Sequence, residues 1–228
     1  MSDSKARWDE FKVHVKEEFI NHLPYTFSGV VLGVLLAITS IKVFGSTWGI
    51  HEFHMAHFTH VFFSGAASAA IFRAHHDSTF KAVIVAFFSA VILCAFSDVL
   101  LPIVGLKSFG YAYHIHLCAL EHPATITFFV LAGISLGLLG IKFFDHCNRS
   151  FHLVHLLIST AASTIYMLGH ISDINAIALI AIACTLFFAL AFPCLVGDMV
   201  LPLCFVNMNS EKKPHDHDDK HNHHDHAH

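Results

Sequence analysis

The sequence predicts an all-α polytopic membrane protein, with six transmembrane helices arranged as two inverted-topology three-helix repeats. Three observations lead there. Of the 228 residues, 55% are hydrophobic and only 13% are charged, where a soluble domain carries about 25% charge. The mean hydropathy is +0.60, and the charges lie between long apolar runs, the distribution of a chain that crosses a bilayer repeatedly. A twelve-residue frame also occurs twice, as HFTHVFFSGAAS at 57–68 and HLVHLLISTAAS at 152–163. The two copies share His57/His152, His60/His155, Ser64/Ser159, Ala66/Ala161, Ala67/Ala162 and Ser68/Ser163. A repeated H-x-x-H-x-x-x-S-x-x-x-S pattern marks a duplication.

Residues 1–22 set Trp8, Phe11, Val15 and Phe19 at helical spacing among charges, as expected of a cytosolic amphipathic helix on the membrane surface. They contain no apolar signal-peptide core, so the first span is expected to act as its own signal. Repeat 1 covers 23–106, with spans expected at about 23–44, 56–72 and 83–104. A histidine-rich run, HEFHMAHFTH at 51–60, leads into the second span, and the third contains Asp98 and Pro102. An outer linker, 107–121, carries Tyr111, Tyr113, His114 and His116. Repeat 2 covers 122–206, with spans expected at about 123–144, 151–168 and 176–206, and residues 145–150 as the link between the first two. All but the last of these runs, which is longer, are close to the 20 or so residues that a bilayer demands.

The duplication extends beyond the two frames. GVLLAITSIKVF at 33–44 aligns with GISLGLLGIKFF at 133–144, and SDVLLP at 97–102 with GDMVLP at 197–202. His22 answers His122, each close to a proline (Pro24, Pro123). An odd number of spans per unit turns the second unit over in the membrane, an arrangement in which transporters bind ions at the repeat interface. The plan resembles that of small cation exporters in architecture, without their local motifs.

Eleven of the 13 Lys and Arg residues fall in the N-terminal segment, the 2–3 and 4–5 links and the C-terminal tail, leaving Lys42 and Lys107 opposite. The positive-inside rule then puts both termini in the cytosol, in an inner or plasma membrane. The tail, 207–228, ends in HDHDDKHNHHDHAH. Met208 and Ala227 are too few apolar residues to build a core, so disorder and metal sequestration are expected. The six cysteines (94, 118, 147, 184, 194, 204) form no C-x-x-C pair and read as small buried hydrophobes.

Histidine, with 22 residues, is the compositional anomaly. The topology gathers His57, His60, Asp98 and His122 towards the outer face, and His22, His152, His155 and Asp198 towards the inner one. Three imidazoles and a carboxylate suit Zn²⁺, Ni²⁺, Co²⁺ or Fe²⁺ better than Ca²⁺ or Mg²⁺, with Zn²⁺ favoured. Pro102 is expected to break its helix and free the carbonyl of Asp98 itself. An ionised aspartate at membrane depth costs roughly 2.5–3.5 kcal/mol and calls for a partner. Glu121 is a substitute ligand, and His51 and His54 extend the outer run as capture residues. Ser64, Ser68, Ser159, Ser163, Gly33, Ala37, Gly133 and Gly137 read as small packing residues.

These features point to a secondary transporter of a divalent transition-metal cation, alternating between two pseudo-symmetric His/Asp sites. Because ligation requires neutral imidazole, protons are the expected coupling ion. Two other classes fit parts of the pattern: an intramembrane metal-dependent hydrolase, which needs an added general base, and a haem-binding electron carrier using paired imidazoles. The expected partners are the bilayer, metal cations and protons. Self-association is compatible with this composition, and nucleic-acid binding is not expected.

Overall fold

The computed structural model describes residues 20, 23–36, 38–39, 42–43, 49–75, 77–171, 173 and 175–195. Among them every regular element is helical. In order these are α1 (Leu23–Leu36), α2 (Ile50–His75), α3 (Thr79–Ala95), a π turn (Phe96–Leu100), α4 (Leu101–Ser108), α5 (Cys118–Glu121), α6 (Pro123–Leu139), α7 (Ile141–Leu168) and α8 (Ala176–Leu195). The expected surface helix at 1–22 and the tail at 207–228 lie outside the described residues.

Local chemistry fixes the helix ends. The Gly49 N–H donates to the Glu52 carboxylate at 2.9 Å, the reach-back half of a capping box at the start of α2. Ser78 caps α3 by accepting from the Lys81 N–H, and Asn175 caps α8 by accepting from the Ala178 N–H at 3.0 Å. Pro123 opens α6, where its missing N–H costs nothing. Gly110, at φ +78°, closes α4. There the Tyr111 N–H bonds to the Leu106 carbonyl and the Gly110 N–H to that of Lys107, a Schellman ending.

Among the described residues, two elements are long and apolar enough to cross a membrane: Ile50–Arg73 within α2, and the continuous rod Thr79–Ser108 formed by α3, the π turn and α4. Leu23–Leu36, Pro123–Leu139, Val154–Leu168 and Ala176–Ala191 are shorter apolar helices. Two boundaries differ from those the sequence predicts. Residues 145–150, expected as a link, are helical within α7, and the turn instead falls at Gly140. The proline break is also absent, because the chain widens into the π turn and runs on as helix through Pro102.

Helix α2 is the centre of the assembly and packs on α6, α3 and α7, while α8 covers α4 and α7. The α2–α6 contact is backbone against backbone. A Cβ on Gly133 would lie 2.0 Å from the Phe62 carbonyl oxygen, and one on Gly137 would lie 2.2 Å from that of Ala66. Small residues permit this approach, which is how helices gain dispersion energy where lipid removes the hydrophobic drive. The rod shows two faces. Phe80, Ile84, Phe88, Ile92, Phe96, Leu100 and Val104 are exposed, whereas Ala82, Ala86, Ala90, Cys94, Asp98, Pro102 and Leu106 are buried.

Candidate metal site

Asp98 projects from the π turn into the bundle with 0% exposure. Its Oδ2 lies 2.8 Å from His57 Nδ1 and 2.7 Å from His60 Nδ1. The i, i+3 spacing on α2 delivers both rings to one oxygen. A carboxylate can only accept, so each Nδ1 carries the hydrogen, and in the neutral ring each Nε2 presents its lone pair. A carboxylate holding the far nitrogen of an imidazole is the usual orienting contact behind a metal-ligating histidine. Asp98 Oδ1 accepts from Ser97 Oγ at 2.8 Å and makes long contacts of 3.5 Å with the hydroxyls of Ser159 and Ser163. With both oxygens engaged, Asp98 acts here as a positioning group.

The ligating face of His60 points across the bundle. Its Nε2 lies 2.9 Å from His155 Nε2 on α7 and 3.9 Å from Cys94 Sγ on α3. Two ligand nitrogens on one tetrahedral zinc stand about 3.3 Å apart, given Zn–N bonds of about 2.0–2.1 Å. The His60/His155 pair needs only a few tenths of an ångström of opening to match that. Cys94 adds a thiol to this set, a role its reading as a plain hydrophobe did not anticipate.

The π turn explains the serine. The Leu101 N–H bonds to the Phe96 carbonyl, and in that i→i−5 register the carbonyl that Pro102 leaves without a donor is that of Ser97, not that of Asp98. Ser163 Oγ donates to the Ser97 carbonyl at 3.2 Å. The serines are therefore more than packing residues. Ser163→Ala should cost about 1–3 kcal/mol by leaving that buried carbonyl unsatisfied. Thermal unfolding in detergent checks it, and an unchanged Tm would refute the assignment.

A second group lies nearer the start of α2. The ligand atoms of His54, His116 and His122 all fall within 4.8 Å of one another. His54 Nε2 is 2.6 Å from His116 Nε2, and His116 Nδ1 is 2.8 Å from the Glu121 carboxylate. Phe53 and Phe58 line its inner side, with Phe58 stacked on His54 and Phe53 edge-on to His116. Tyr166 Oη anchors the connection by donating to the His114 carbonyl. Burial pushes the His116 imidazole below its usual range, against the pull of Glu121.

Of the residues singled out in the sequence, His57, His60 and Asp98 come together as expected. His155, expected near the inner face, instead meets His60. His122 joins His54 and His116, which the sequence reading left as a capture residue and a linker residue. His22 and Asp198 lie outside the described residues, as does the side chain of His152. The density of His114, His116, Glu121 and His122 in one short connection was the available signal for the second group. No known protein family, no curated protein and no solved structure matches this chain.

Proposed function

We propose that the chain is a secondary transporter of a divalent transition-metal cation, Zn²⁺ first among them, in a membrane that it crosses six times as two inverted repeats with both termini cytosolic. One observation carries this reading: a spiral of imidazoles that winds down α2 from exposed to buried, each about 60° around the axis from the one before. His51, His54, His57 and His60 recur every third residue, each about 4.5 Å further along the axis. His51 is exposed and His54 half-buried, while His57 and His60 are 2% exposed and end on Asp98. A structural network has no need of ligating side chains at every step from solvent to centre. A path for a cation does.

Further support comes from the repeat. His60 and His155 hold equivalent places in the duplicated frame, and equivalent residues of an inverted pair meet where the pseudo-two-fold axis passes between them. The exposed stripe from Phe80 to Val104 has the apolar character of a lipid-facing surface. The alternatives fit less well. A porphyrin has no room between ring nitrogens 2.9 Å apart. A hydrolase requires a free general base, and both oxygens of Asp98 are already engaged.

The test is flux. Full-length protein in liposomes enclosing a zinc-responsive dye should give saturable Zn²⁺ transport, and His60→Ala should reduce the rate to that of protein-free liposomes. Full activity in His60→Ala, or no flux above protein-free liposomes with the native chain, defeats the reading.

A further inference from the structure

The geometry points to a second metal site, built by His54, His116 and His122, that loads the cation before it reaches the core, with Glu121 as its positioning residue. The inference rests on the transport reading for the identity of the cargo, but its geometry stands independently. The three ligands come from three separate elements: the first turns of α2, the connection between α4 and α5, and the residue preceding Pro123 at the start of α6. Three imidazoles leave a fourth tetrahedral position open, which suits Zn²⁺ or Co²⁺ and a site that must release its ion.

Two features distinguish this group from a chance cluster. Glu121, as a carboxylate, accepts from His116 Nδ1 and so turns the lone pair of His116 Nε2 towards His54 Nε2, 2.6 Å away. Nitrogens that close share one hydrogen, His54 Nε2–H donating to the His116 lone pair, and they need to part by about 0.7 Å to stand as two ligands on one tetrahedral ion. The orienting carboxylate repeats the arrangement at Asp98, where the same contact fixes His57 and His60. His57 lies one helical step below His54 on α2, and Phe53 packs against the rings of both His57 and His116. An ion leaving the trio therefore finds its next ligand about 4.5 Å further along the helix.

Metal held here also ties the connection to two helices. Loading should therefore protect the segment around Lys107 and Tyr113 from protease, a readout independent of transport.

The experiment uses the full-length chain with the seven tail histidines from His215 to His228 replaced by serine, so that the tail does not mask the site. Co²⁺ titration, followed by the visible absorption of tetrahedral cobalt, should show an absorption component that His122→Ala removes. Glu121→Gln should weaken that component about 10–100-fold, the usual effect of removing an orienting partner. Asp98→Asn should retain it. His122 and Glu121 are both exposed, so these variants should fold. Should both bind Co²⁺ like the parent, with protease protection unchanged, the site is overturned whatever the flux. Loss of the component in His122→Ala supports it, even if the parent transports nothing, in which case the transport reading alone fails.

Discussion

Asp98→Asn should weaken metal binding at the core about 10–100-fold and bring transport to background, while the helices stay assembled. The reasoning is local. One carboxylate oxygen receives Nδ1 of both His57 and His60, and the other receives the hydroxyl of Ser97. Asparagine keeps the volume but offers a single acceptor oxygen and turns an N–H₂ group towards the remaining donors. If its oxygen faces the imidazoles, the amide hydrogens face Ser97. If it turns the other way, both Nδ1–H groups lose their acceptor, and at least one ring rotates or changes tautomer. Its Nε2 then no longer presents a lone pair to the ion, and second-shell losses of this kind have the stated size. The checks are Co²⁺ or Zn²⁺ affinity and liposome flux on the same preparation. Wild-type affinity with wild-type flux would show that Asp98 does not orient the ligands.

Gly133→Leu should abolish folding of the protein in detergent, at a cost of about 3 kcal/mol or more. The first added carbon would already lie 2.0 Å from the carbonyl oxygen of Phe62 and 3.1 Å from its Cα. Backbone cannot rotate away as a side chain can, so the only relief is to drive α2 and α6 apart. Overpacking in ordinary cores costs about 1–3 kcal/mol where side chains can yield, and here none can. Leu139→Ala, on the same helix and largely exposed, should stay within about 0.5 kcal/mol of wild type. Monodispersity and Tm in detergent decide it, and a Gly133→Leu protein that melts with the wild type would disprove the contact.

Much of this site can be read from the sequence, and the failures have identifiable physical causes. The His57/His60 pair and its aspartate follow from i, i+3 spacing and from the fold of α2 back along α3. The glycines at 133 and 137 follow from the small-residue rule for helices in lipid. The sequence separates His155 from His60 because the polar stretch at 145–150 resembles a loop. With α7 starting at Ile141, His155 stands about 21 Å into its helix and His60 about 15 Å into α2. Both reach mid-bundle from opposite ends and meet. Hydropathy could not show this, since charged residues in a helix and in a loop score alike. The trio of His54, His116 and His122 was missed because the connection that delivers His116 has no periodicity, and only the folded chain brings it over α2.

The rod from Thr79 to Ser108 carries a phase problem whose solution places the carboxylate. Its outward and inward residues each return every fourth position, from Phe80 to Val104 and from Ala82 to Leu106. A step of four overshoots the 3.6-residue turn by about 40°, so an unbroken α-helix would swing both faces most of the way around over that distance. The surplus residue wound in at Phe96–Leu100 gives back about 100° of the slippage. Asp98 sits inside that correction, so the register adjustment that keeps the rod's oily side outward also keeps its one acid facing the histidines.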